Sequence, residues 1–214
     1  MSPDHHQIVL GTPRDIEPLG ALIAHAFHDL APSVWLIPDP EARRTVLPAY
    51  FRLLVEDADR RGCIYTTTER TGAALWLPGT TNQPDAAGWD SVLAVVTGPW
   101  AARFRIFEEL LAKHHPVGLR HEHLAILAVD PDHQRQGIGT ALLATHHRRL
   151  DQGADPAATY LEASDPATRQ LYLTCGYTDH GEPIHLPDGP VMFPMLRQAA
   201  PAPTLNASGQ GAGL

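Results

Sequence analysis

The run Gln134-Arg135-Gln136-Gly137-Ile138-Gly139 is the part of the chain whose residue types point most directly to chemistry. It follows an apolar stretch, His123 to Val129, and a turn at Asp130-Pro131-Asp132. It opens a segment in which Ile138, Ala141, Leu142 and Thr145 recur at helical spacing. Strand, turn, glycine-rich loop and helix in that order make an anion site. A helix start carries unpaired backbone N–H groups and the positive end of its dipole, so a pyrophosphate can bind there. Gly137 and Gly139 lack a Cβ and let phosphates approach the backbone. Gln134, Arg135 and Gln136 add side-chain donors, and Thr140 falls in the first turn. A dinucleotide fingerprint would need a third glycine where Leu142 stands, and the Gly-Lys-Ser/Thr of a nucleotide-triphosphate loop is absent.

The remaining chemistry-bearing residues are scattered. Cys63 and Cys175 are far apart, match no metal-type spacing and argue against a disulfide framework, which fits a reducing cytoplasm. Thirteen histidines are present, but His5-His6, His114-His115 and His146-His147 are adjacent pairs whose side chains diverge on a helix or strand, so no metal site is expected. The formal net charge is -8 and no basic patch stands out, which argues against nucleic acid as a partner. No apolar run approaches the ~18 residues a membrane span needs, and the polar start, Met1 to Gln7, has no signal-peptide core. An acidic chain can draw a cationic small molecule into a cleft, although its charge also serves solubility alone.

The elements that must position these residues follow from periodicity. Ile8-Val9-Leu10 reads as a strand. Thr12, Pro13 and Asp15 form a helix start, and Ile16, Leu19, Leu22, Ile23 and Phe27 recur at helical spacing. A break spans Asp29 to Pro40, and a second helix is expected from Pro40 to Arg61. Cys63 to Thr68 and Ala73 to Leu77 read as strands, Pro78 to Gly88 as a loop, and Trp89 to Lys113 as helix interrupted at Gly98-Pro99. After the glycine loop the spacing predicts a helix to Leu150, a strand at Thr159 to Glu162 and a helix from Pro166 to Gly176. Two last strands are expected near Tyr177 to Leu186 and Val191 to Arg197. Residues 1–198 then make one domain, and the Ala-, Pro- and Gly-rich stretch 199–214 reads as a disordered tail.

Val129-x-Pro131-x-x-Gln134-x-x-Gly137-x-Gly139-x-Ala141-Leu142 resembles motif A of the GNAT acetyltransferases. Leu161-Glu162-Ala163-Ser164, Leu171-Tyr172 and Gly176-Tyr177 resemble the family's motif B. The likeness spans roughly Ile8 to Arg197. Pro131-Asp132-His133-Gln134, Leu186-Pro187-Asp188-Gly189-Pro190 and the early His25-Ala26-Phe27-His28-Asp29 are also similar to the branch that contains puromycin N-acetyltransferase. The resemblance implies an α/β fold, a mixed twisted sheet flanked by helices and splayed at the cofactor site. It implies acetyl-CoA as co-substrate and direct transfer to a primary amine of a small molecule, with an aminonucleoside or aminoglycoside antibiotic as one candidate acceptor and antibiotic resistance as one candidate role; the sequence does not name the acceptor or the role. Leu127, Ala128 and Val129 would face the thioester and pantetheine with their backbone N–H groups, and Tyr172 would protonate the leaving thiolate. Asp165 stands where many relatives carry Asn, which leaves that cofactor contact open.

The base is not singled out. Glu122 is the candidate taken forward, with His121, His123 and Glu162 as alternatives; strand alternation places His121 and His123 on one face and Glu122 on the other. The acceptor pocket is expected from the first half, with Trp35 and Trp76 stacking on a substrate ring and Asp29 pairing with a second positive group. Two other functions stay open: acetylation of a protein or peptide amine, and non-catalytic sensing of acetyl-CoA. The sequence does not set the oligomeric state and is compatible with a homodimer.

Overall fold

The computed structural model describes residues 6–79, 86–153 and 157–199. The tail expected from 199 onward lies, but for its first residue, outside the described residues. The chain runs β1 (Ile8–Leu10), α1 (Ile16–Phe27), α2 (Ala31–Leu36), α3 (Pro40–Arg61), β2 (Cys63–Thr67), β3 (Gly72–Pro78), α4 (Ala86–Thr97) and α5 (Ala101–His114). It continues with β4 (His121–Val129), α6 (Ile138–Asp151), β5 (Ala158–Ala163), α7 (Pro166–Thr174), β6 (Thr178–Asp179), β7 (Ile184–His185) and β8 (Val191–Arg197). The expected break after Asp29 holds a short helix, α2, because Pro32 and Ser33 bury against the core and its few residues are too short for a periodic signal. The strand expected over Tyr177 to Leu186 is two short ones, β6 and β7, which pair with different parts of β8.

The strands form an open mixed sheet in the order β1-β2-β3-β4-β5-β8-β6, with β7 pairing β8 at the side. Among the described residues only β4 and β5 pair in parallel. Alternation along β3 sends Ala73 and Leu75 to one face, where α1, α3, α4 and α5 bury Leu19, Ile23, Leu47, Phe51, Leu93 and Phe104. Ala74 and Trp76 point to the other, against Ile138 and Leu142 of α6. Asp39 caps α3 by accepting from Glu41 N at 3.0 Å, and Pro40 occupies its first position.

One irregularity decides what reaches the site. β3 and β4 pair Leu75 with Ile126 but Trp76 with Leu124, so Ala125 is an extra residue, a β-bulge. The bulge reverses the alternation: Ile126 and Ala128 pack with α1 and α3, whereas Leu124 packs on the α6 side. Ahead of the bulge, Glu122 shares the α6 side with Leu124, and His121 and His123 take the opposite one. Among the described residues no helix is long and apolar enough to cross a membrane.

Candidate active site

β4 and β5 pair only over His121↔Ala158, Glu122↔Thr159 and His123↔Tyr160. Past that point they separate, and a cleft of about 1010 Å³ opens between them. Its lining includes Leu127, Val129, Gln134, Arg135, Gly137, Ile138, Gly139 and Thr140 on one side, and Glu162, Ser164, Thr168 and Tyr172 on the other.

The loop into α6 ends in an open helix start, a geometry that can receive an anion. Gly137 adopts φ 85°, ψ 0° as the helix N-cap, a left-handed conformation that glycine takes without steric cost. Arg135 also has a positive φ, 60°. Gln134 Nε2 donates to Val129 O at 3.3 Å, tying the loop to the end of β4. The first intrahelical bond runs from Ala141 N to Gly137 O, so helix geometry leaves the N–H groups of Ile138, Gly139 and Thr140 without an intrahelical acceptor. Gln136 turns away: its Nε2 donates to Asp132 O at 3.4 Å and its carbonyl meets His6 Nε2 at 3.2 Å. Ala128 is buried against the α1 and α3 core, so its side chain does not line the cleft.

Tyr172 is 8% exposed and lines the cleft. Burial, reinforced by Tyr177, pushes its phenol well above the ordinary value, so it stays protonated. Its position follows from the cap of α7. Asp165 Oδ1 accepts from Ala167 N at 2.8 Å and Thr168 N at 2.9 Å, while Thr168 Oγ1 accepts from Asp165 N at 3.2 Å. The side chain of Asp165 therefore serves the helix start and is not part of the cleft lining.

Glu122 lies outside the lining, on the α6 side of the sheet. Its carboxylate is 2.9 Å from His146 Nε2 and accepts from Arg149 at 3.0 Å. Burial would raise its pKa, but these two partners hold it below the usual carboxylate range. Of the alternatives, His123 and Glu162 both line the cleft, with Glu162 Oε2 2.9 Å from His123 Nε2 and the Glu162 side chain 6% exposed. Its other oxygen, Oε1, is buried without a hydrogen-bond partner. Burial works to raise this carboxyl, and the attraction of His123 outweighs it, leaving the group below the usual range. His115 joins the cluster from the end of α5: its Nε2 is 2.9 Å from His121 Nε2, and burial presses its pKa down to about 4.

The three acceptor candidates lie elsewhere. Trp76 is fully buried and stacks on His146 with ring centroids 3.7 Å apart. Trp35 donates from Nε1 to Pro187 O at 2.7 Å and carries Arg103 over its ring at 5.4 Å. Asp29 is 84% exposed and pairs with His28 and Arg43. None lines the cleft. The half of the cleft away from the α6 loop is walled by Phe27, Tyr50, Phe51, Leu77 and Phe107, with Glu108 accepting from Trp89 Nε1 at 2.9 Å. His115 and these walls carry no local sequence signal, since they meet only through the packing of α1, α3 and α5 on the sheet.

Residues 113–198 match the acetyltransferase (GNAT) domain family. Across nearly the whole chain the structure is similar to one described as histone acetyltransferase HPA2 and related acetyltransferase from Corynebacterium glutamicum. That pair shares 27% identity over 93% of this chain and 98% of that chain, with a TM-score of 0.67. An agmatine N-acetyltransferase, at 15% identity over 89% of this chain and 99% of its own, has a TM-score of 0.59. A mosquito arylalkylamine N-acetyltransferase like 5b, at 14% identity over 90% and 100%, has a TM-score of 0.56. These last two show a shared fold.

Proposed function

We infer that this chain, for which the domain match and the structural neighbours support an N-acetyltransferase of the GNAT family, transfers an acetyl group from acetyl-CoA to a primary amine of a small molecule. The observation that carries this reading is that one cleft is lined by both the Gly137–Thr140 helix start and Tyr172. A left-handed glycine at the N-cap and the open N–H groups after it suit a pyrophosphate. Acetyl-CoA supplies the acetyl thioester and departs as the thiol.

The chain's own groups account for the protons. Glu162 offers its unpartnered oxygen to the acceptor ammonium and takes the proton that the amine must lose before it attacks. His123, hydrogen-bonded to the other oxygen, orients the carboxylate. Tyr172, held neutral by burial, gives a proton to the sulfur as the C–S bond breaks and the C–N bond forms, and the second proton shed by the nitrogen restores the phenol through water. The backbone N–H groups of β4 past His123, freed from β5 by the splay, are placed to polarise the carbonyl.

The acceptor half favours an amine on an apolar or aromatic body, because Phe27, Tyr50, Phe51 and Phe107 form its walls. An aminonucleoside antibiotic suits that surface better than a heavily hydroxylated aminoglycoside. The test is a panel of aryl, alkyl, aminonucleoside, aminoglycoside and peptide amines with acetyl-CoA, following release of free thiol. Turnover confined to small apolar amines is expected. Turnover confined to peptides would replace this reading with protein acetylation, and acetyl-CoA binding without turnover on any amine would replace it with a sensor.

A further inference from the structure

We propose that His115, His123 and Glu162 form a binding site for one zinc-type divalent ion in the acceptor half of the cleft. The three residues come from three elements: the segment just after α5, strand β4 and strand β5. Each offers one ligand atom, and these atoms lie within 4.8 Å of one another. A zinc ion needs them at about 2.0–2.2 Å from a common centre, so the side chains must draw inward around it. Two imidazoles and one carboxylate, with a coordination position left open to the cleft, is a donor set that zinc accepts. It is poor in oxygen for magnesium or calcium, which favour carboxylate and carbonyl ligands.

A second observation points to a cation at this place. Glu162 is 6% exposed, and its Oε1 is buried with no hydrogen-bond partner. A buried carboxylate oxygen left without a donor is costly. Its hydrogen bond with His123 engages the other oxygen, at 2.9 Å, and the Tyr160 hydroxyl, which also bonds His114 O at 3.3 Å, is the remaining donor beside the carboxylate. A metal ion between the three residues would satisfy Oε1 directly.

The surroundings also hold His115 as a metal site requires. His121 Nδ1 donates to Leu119 O at 2.8 Å, which leaves Nε2 of a neutral His121 as an acceptor. His115 Nε2, 2.9 Å away, then donates to it, and the other nitrogen of His115 keeps its lone pair. A ligating histidine whose second nitrogen is tied by a hydrogen bond is held in the required tautomer. The ring of His121 has room for this because residue 79 is glycine: a Cβ there would fall 2.4 Å from the imidazole. Tyr160, whose ring centroid is 5.0 Å from that of His115, closes the cluster from β5.

The site takes the same Glu162 oxygen that the acetyl-transfer reading offers to the acceptor, so a bound ion would block that role; it is tested without acetyl-CoA or amine, so the two readings can fail separately. The experiment titrates zinc sulfate into chelator-treated full-length protein by calorimetry. Saturable binding at one equivalent is expected, weakened about tenfold or more by Glu162→Gln and by His115→Ala, with circular dichroism confirming that each variant is folded. Absence of saturable binding would overturn the site. So would wild-type affinity in both folded variants, since it would place the ion on other histidines of the chain. If neither variant folds, the visible spectrum of the cobalt-loaded wild-type protein decides. Intense bands of a four- or five-coordinate ion support the site, and a weak spectrum resembling the hydrated ion overturns it.

Discussion

Oε2 of Glu162 and Nε2 of His123 lie 2.9 Å apart, beside the last residue pair before β4 and β5 separate. The contact joins the two strands across the base of the cleft through one oxygen of the carboxylate, and the other, Oε1, is buried. If this carboxylate receives the amine and its proton, Glu162→Gln keeps the shape and removes the charge. The kcat/KM for the amine should then fall by roughly 10²-fold while acetyl-CoA affinity is kept. Steady-state kinetics with calorimetry of acetyl-CoA binding measure both, and an unchanged kcat/KM would remove Glu162 from the reaction.

Tyr172→Phe separates catalysis from binding on the thiol side. The ring keeps its place under Asp165's cap, and only the hydroxyl is lost. We expect kcat to drop by roughly 10²-fold with little change in acetyl-CoA affinity, or about 2.7 kcal/mol of transition-state stabilisation. A folded variant with wild-type kcat would count against the proton-donor role, provided that chemistry limits the wild-type rate.

Gly137→Val addresses the loop. No atom lies within 4 Å of a Cβ built at Gly137, so the obstacle is conformational: φ 85° is strained for a β-branched residue. The loop should shift and the acetyl-CoA dissociation constant should rise about tenfold or more, with melting temperature changed much less. Wild-type affinity by calorimetry would argue that the phosphates bind elsewhere.

Asp15 makes stability depend on pH at the acid end. Burial would raise its pKa, but Thr12 donates from N at 2.8 Å and from Oγ1 at 2.7 Å, and Arg70 pairs with it at 2.6 Å; together they hold it below 3.8. A depressed folded-state value means the stabilisation is complete above the unfolded pKa, near 3.8, and is lost as pH falls through the lower folded one. Asp15→Asn should therefore cost about 1 kcal/mol at neutral pH, with the gap to wild type narrowing below about pH 4. Denaturant melts across pH 2.5 to 7 test this, and a gap that widens on acidification would refute it.

Trp76 offers a check on the acceptor site. It is fully buried and stacked on His146, away from the cleft. Trp76→Phe should lower stability by roughly 1–3 kcal/mol and leave the KM for the amine unchanged. A raised KM in a stable variant would put the indole in contact with substrate.

Much of this was legible from the chain alone because local rules govern it. The glycine loop announces itself through residue types at fixed offsets, and Pro40 and Pro166 mark helix starts, as observed in α3 and α7. The strand–turn–loop–helix order around Gly137 needs only neighbouring residues, and so does Tyr172's place two turns into a capped helix. Alternation also separates Glu122 from His121 and His123. It cannot say which face meets the cleft: that depends on the extra residue Ala125 opposite Leu75 and Trp76, and on α6 offering His146 and Arg149 to Glu122. Aromatic type drew Trp35 and Trp76 toward the substrate, yet a tryptophan's burial is set by what packs on it. Here Pro187, Arg103 and His146 take both rings. The grouping of His115, His123 and Glu162 belongs to the tertiary structure alone. The first two are close in sequence but on different elements, and Glu162 arrives through the parallel pairing of β5 with β4, a contact that no local pattern encodes.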